Sequence, residues 1–160
     1  MEELKTLDLK ASVANSMQEV FNTMLPMEAE LIDAELAEID NGNRIVGSVS
    51  FAGSVMGNVN IQVNEVFARL MTATMLGMDK DESIGEEEVF DVIGELSNMV
   101  GGNLKSRLYD FGFPCNLSIP SITSGGHFRI ESKNWARRES VAFRYREHTM
   151  LVEVYITSNR

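Results

Sequence analysis

From Leu9 to Leu25 the residues Val13, Met17, Val20, Phe21 and Met24 recur three and four apart, the spacing that gathers side chains on one side of a helix. Pro26 ends the pattern because it biases Leu25 away from helical dihedrals. The next stretch, "EAELIDAELAEID", fits either period, and one reading makes a strand of Glu30 to Ile39. The period then changes to two. "NRIVGSVSFAG" and "VMGNVNIQVN" alternate apolar and polar residues around Gly53-Ser54, which predicts a hairpin. In "NEVFARLMTATMLGM" the helical period returns, with Asn64 as the cap, Gly77 as the stop, and Val66, Phe67, Leu70, Met71 and Met75 on one side.

A charged connector, "DKDESIGEEE", leads to the longest periodic segment, Glu86 to about Tyr109, whose three leading glutamates suit the positive end of a helix dipole. The remainder reads as strands: "FPCNLSI", closed by Pro120, then "GHFRIES", "ESVAFRYRE" and "TMLVEVYIT". Turns are expected at Ser124-Gly125-Gly126 and at Glu147-His148. The order of elements predicts an α/β (α+β) fold in which long helices pack on a mostly antiparallel sheet. The 160 residues suit a single domain spanning 1–160. Its two halves echo each other weakly: "NSMQEVFN" and "DVIGELSN" each place a polar residue, then Glu four positions on, then Asn three further.

On the longest helix, Val89, Ile93, Leu96, Val100 and Leu104 fall on one side at ~100° per residue. Asp91, Glu95, Asn98, Gly102 and Lys105 fall in a narrow strip opposite. Glu95 and Asn98 are one turn apart and point the same way. A solvated face would account for the glutamate. It accounts less well for Asn98, a mediocre helix former, or for Gly101-Gly102, each costing about 1 kcal/mol relative to Ala in a helix interior. Adjacent glycines suggest that another backbone, from a partner or a neighbouring helix, approaches closely there, and Gly94 repeats the hint.

Composition narrows the chemistry. A net charge of -10 disfavours a nucleic-acid partner, since the only cationic cluster is Lys133 to Arg138. No apolar run is long enough to span a membrane, and the mixed, acidic N-terminus is unlike a secretory signal, so a cytoplasmic protein is expected. Cys115 is the single cysteine and reads as a small buried hydrophobe. The two histidines, His127 and His148, lack ligand spacing, and "TSGGH" lacks the Lys and helix of a phosphate loop. Met17, Met24, Met71 and Met75 read as core filling, and "SKNWARR" as a surface turn or interface rim.

The stretch "GEEEVFDVIGELSNMVGGNLKSRL", followed by "SIPSITSG", resembles the active-site helix and trailing strand of the CheC/CheX/FliY family of chemotaxis phosphatases, most closely the single-site CheX type. The family pattern is Asp or Ser, three residues, Glu, two residues, Asn, and a later Pro; here it falls on Asp91, Glu95, Asn98 and Pro120. The first-half echo departs from it. Asn15 replaces Asp or Ser, and residues 42 to 46 supply no Pro, so Glu19 and Asn22 read as a decayed copy.

The resemblance implies an enzyme that removes phosphate from the aspartyl-phosphate of a CheY-like response regulator. Glu95 would dock on the regulator's active-site Lys, and Asn98 would orient the attacking water. Asp91 would support Glu95, and Gly101 and Gly102 would allow close approach. It also implies no cofactor held by this chain, Mg2+ supplied by the regulator, and a homodimer joined through strand edges. The alternative is a non-catalytic domain that binds a regulator or the flagellar switch.

Overall fold

Asp8 opens the first helix, α1 (Leu9–Thr23), by accepting a hydrogen bond from the Ala11 amide at 2.9 Å. A short strand, β1 (Glu30–Ile32), follows, and then the hairpin β2 (Arg44–Gly53) and β3 (Val55–Asn64). Asn64 caps α2 (Glu65–Leu76) through the Phe67 amide at 2.7 Å, and Gly77, at φ 66°, ends it in the left-handed conformation. The 25-residue α3 (Glu86–Asp110) begins with the Glu88 carboxylate accepting from the Gly85 amide at 3.3 Å. Strands β4 (Cys115–Leu117), β5 (Ser121–Gly125), β6 (Arg137–Tyr145) and β7 (His148–Ser158) complete the chain. This computed structural model describes residues 7–37, 39, 42–78, 84–126, 128, 130 and 137–158.

The seven strands among the described residues form one antiparallel sheet in the order β1-β6-β7-β3-β2, with β4 and β5 lying end to end along the outer side of β2. With β4 and β5 taken as one interrupted strand, the order αβββ occurs twice, as α1-β1-β2-β3 and as α3-β4/β5-β6-β7, and the halves interlock reciprocally. Strand β1 pairs with β6, β5 pairs with β2, and β3 meets β7 at the centre. Helices α1 and α3 run antiparallel, joined by Asn103 Nδ2 donating to Ser16 Oγ at 2.6 Å and Arg107 Nε to Ser12 Oγ at 3.4 Å.

Alternation along the strands assigns the two sheet faces. Ile45, Val49, Phe51, Val59, Ile61, Val63, Val152 and Val154 are buried on the face that meets the helices and form the core with Met17, Phe21, Phe67, Ile93, Leu96 and Val100. Gly47 of β2 faces Ile93 and Ser97 of α3 so closely that no Cβ fits there, which lets the helix settle onto the strand backbone. Position 47 therefore fixes the height of α3 above the sheet.

Five local expectations change. The strand expected over Glu30 to Ile39 stops at Ile32, because Asp33 accepts from the Glu35 amide at 3.0 Å and starts a 3-10 turn over Ala34–Leu36. Residues 121–125, expected to end in a turn, form β5, since pairing along residues 44–48 of β2 outweighs the turn preference of Ser124 and Gly125. The strand expected at "GHFRIES" lies largely outside the described residues, and Phe128 and Ile130 belong to no strand. The last turn sits earlier, at Arg146 (φ 57°) and Glu147, so His148 begins β7, 8% exposed and stacked on Phe67 at 5.0 Å. On α2, Val66 is 65% exposed rather than on the buried side with Phe67 and Met71.

Candidate active site

The buried stripe of α3 includes Val89, Ile93, Leu96, Val100 and Leu104, as the periodicity predicts. Asp91, Glu95 and Asn98 all lie exposed on the opposite side. None of the three makes a side-chain hydrogen bond or ion pair with a described residue, so the carboxylate of Glu95 and the amide of Asn98 are open to a partner. Asp91 and Glu95 have no third ligand beside them. Among the described residues, no three His, Cys, Asp or Glu side chains gather to hold a metal.

The glycines divide into different roles. A Cβ built at Gly94 would lie 3.6 Å from Pro120 Cβ and 3.9 Å from Ile122 Cδ1, so the segment entering β5 packs on the helix beside Glu95. A Cβ at Gly101 would lie 2.5 Å from Val49 Cγ2 and 3.3 Å from Leu117 Cδ1. The element that approaches Gly101 is thus the chain's own sheet, rather than a partner or another helix. Gly102 has nothing within 4 Å of its would-be Cβ and leaves bare backbone on the polar strip. Pro120 is half-buried and packs on α3 at Gly94, where an added Cβ would make ordinary van der Waals contact.

The first-half echo is placed likewise. Asn15, Glu19 and Asn22 are exposed on α1, but that helix ends at Thr23, whose hydroxyl donates back to the Glu19 carbonyl at 2.7 Å.

Other candidates belong to the scaffold. Cys115 is buried, and desolvation pushes its thiol pKa up, which keeps the sulfur protonated and unreactive. Met17 and Met71 are fully buried and Met24 and Met75 half-buried. Of the basic cluster, residues 131–136, and His127 nearby, lie outside the described residues, while Arg138 donates to Glu153 Oε2 at 2.6 Å. That contact belongs to a polar ladder which the sequence reading missed, on the sheet face away from the helices. Glu153, 4% exposed, accepts from Arg138, from Gln62 Nε2 at 2.9 Å and from the Tyr155 hydroxyl at 3.1 Å. Hydrogen bonding to Glu153 holds the Arg138 pKa up, and burial followed by the Glu153 charge raises that of Tyr155. Alternating "NVNIQVN" and "VEVYIT" carried the signal, since it places Asn60, Gln62, Glu153 and Tyr155 on one face.

An interlocked αβββ repeat carrying an exposed Asp, Glu and Asn along one ridge of its longest helix defines the class by fold and site. The model of the family described as "Chemotaxis phosphatase CheX" matches residues 45–144, and the chain belongs to that family. It is 26% identical over 98 residues to the CheY-P phosphatase CheX of Thermotoga maritima, a match covering 61% of this chain and 62% of that protein. The chain thus spans less than two thirds of this relative's length. The crystal structure of chemotaxis protein CheX from Vibrio vulnificus superposes with a TM-score of 0.79 at 24% identity, covering 94% of this chain and 97% of that one. A CheX-CheY-BeF3-Mg2+ complex from Borrelia burgdorferi gives 0.72 at 21%, covering 94% and 99%. At these identities the two structures speak to the fold. Among the described residues, no helix is long and apolar enough to cross a membrane.

Proposed function

We propose that this protein hydrolyses the aspartyl-phosphate of a CheY-like response regulator, acting as one CheX-like domain with Glu95 and Asn98 as its working side chains. The observation that carries the reading is that a carboxylate and a carboxamide stand one turn apart, exposed and unpaired with any described residue, in a chain of the CheX family. An ionised carboxylate only accepts hydrogen bonds, so Glu95 suits the ammonium of the regulator's active-site Lys. The Asn98 amide both donates and accepts, and it holds a water in line with phosphorus without titrating. Asp91, one turn before Glu95, extends the acidic side of the strip that would face the regulator.

Phosphoryl transfer asks mainly for positioning and charge neutralisation. In this reading the regulator supplies the metal ion and Lys, and this chain adds docking and a poised water. Gly102 leaves room for the regulator's surface, while Pro120 and Gly101 hold α3 against the sheet. Two copies would join through a strand edge. On that side, β1 pairs only with Ala142 to Arg144 of β6.

The test is inorganic phosphate release from a phosphorylated regulator, with wild type set beside Asn98→Ala. Accelerated release that falls on the order of a hundredfold in the variant is expected. Wild-type binding with no acceleration selects the non-catalytic scaffold instead. Sedimentation of the free protein tests the dimer, and a monomer at micromolar concentration removes it.

A further inference from the structure

Ile119 is 87% exposed, a large apolar side chain standing in water beside the polar strip of α3. Scattered surface hydrophobics are ordinary, so exposure alone assigns nothing. Its backbone setting does. Where β4 hands over to β5 along β2, Leu117 pairs with Phe51 and Ser121 pairs with Ser48. Two residues of β2, Val49 and Ser50, therefore face three, Ser118, Ile119 and Pro120. An extra residue on one strand is a bulge, a device that bends an edge and re-aims a side chain.

Both sides of this bulge are tied down. The Ser118 amide donates to the Ser50 carbonyl at 2.9 Å, and the Ser118 hydroxyl accepts from the Ser50 amide at 2.9 Å while donating to the Ile119 carbonyl at 3.0 Å. On the other side Pro120 packs against Gly94. Ile119 is thus β-branched, stiff at χ1, and mounted on a fixed backbone, so seating it against a partner would cost little conformational entropy.

Its position follows from two contacts. Leu117 lies against Gly101 and Pro120 against Gly94, so the segment runs antiparallel to α3 and brings residues 118–119 alongside the turn between those glycines. Asn98 occupies that turn, and at ~100° per residue it leans toward the flank that Gly94 and Gly101 share.

We infer that Ile119 is a docking anchor that seats against apolar surface beside the regulator's phosphorylated pocket and adds binding affinity to the polar pair. This rests on the hydrolase reading above and adds to it an apolar anchor next to the polar pair, the arrangement in which a buried contact dominates docking while polar groups fix register.

The experiment uses the full chain and a CheY-like receiver domain from the same genome, loaded with beryllofluoride for affinity and phosphorylated for turnover. Ile119→Ala is expected to weaken affinity and raise KM on the order of tenfold with kcat within about twofold, and Ile119→Val to recover most of the loss. Unchanged affinity and KM in Ile119→Ala overturn the inference and leave the hydrolase reading standing. Weakened affinity in a protein whose wild type releases no phosphate supports the anchor and removes the hydrolase. Absence of wild-type binding overturns both. Because the side chain is exposed, thermal unfolding of Ile119→Ala should match wild type.

Discussion

Helices α1 and α3 present closely related sets of side chains to solvent, Asn15, Glu19 and Asn22 on one and Asp91, Glu95 and Asn98 on the other. Their flanks are different. Beside α3, Pro120 closes on Gly94 and Leu117 on Gly101, so the strand that borders the helix is locked to it. Beside the N-terminal half of α1, the space toward β1 and β6 is an open cavity of about 730 Å³, lined by Ala11, Ala14, Leu31 and Ser140 among others. Helix α1 also stops at Thr23, one residue past Asn22, whereas α3 continues to Asp110. Asn22 therefore stands on the last turn of its helix, whereas Asn98 stands mid-helix with turns on both sides to hold it to the tolerance that positioning catalysis requires. On the proposed reading, a Glu and Asn one turn apart make a site only where the surrounding packing fixes them.

The largest effect expected from a single change after Asn98 itself belongs to Glu95→Ala. Loss of a charge-assisted hydrogen bond, about 1.5–3 kcal/mol, should lower kcat/KM by roughly tenfold to a hundredfold. Part of that loss should appear as raised KM, measured by phosphate release over a range of regulator concentrations. A fall in kcat alone would assign Glu95 to the chemistry rather than to docking.

Next come the two adjacent glycines, which should respond in opposite directions. Gly101→Ala drives a methyl into Val49, and overpacking of about 1–3 kcal/mol should outweigh the gain in helix propensity, lowering the urea midpoint. Gly102→Ala enters open space and should stabilise by about 1 kcal/mol, raising Tm by roughly 2–4 °C. Equal shifts for the pair would mean that α3 does not sit on β2 as described. Cys115, buried with its thiol pKa raised, should react with a neutral alkylating reagent only as fast as the chain unfolds, and prompt labelling of the native protein would contradict its burial. The smallest effect belongs to Glu19→Ala, less than about twofold in phosphate release, since an exposed side chain off the working face contributes little.

Much of this was legible in the sequence, because long periodic segments carry their own signal. The three α-helices among the described residues, the central hairpin and the last two strands follow from periods of 3.6 and 2, and the burial of Val89, Ile93, Leu96, Val100 and Leu104 follows from one wheel. What escaped was set by tertiary pairing. Ser124 and Gly125 look like part of a turn until β2 offers an unpaired side, and Ile119 looks like the end of a strand until the register shift pushes it into solvent. The glycine pair signalled a close approach, but local sequence does not say what approaches. The Val49 side chain of β2 and Leu117 of β4 reached Gly101, while Gly102 stayed bare.

The most direct measurement is the decay of a phosphorylated regulator with Asn98→Ala and Asn22→Ala set side by side against wild type. Loss of acceleration on the order of a hundredfold in the first variant, with the second within about twofold, is the expected result. Equal losses, or a larger loss from Asn22→Ala, would contradict the assignment of the site to α3.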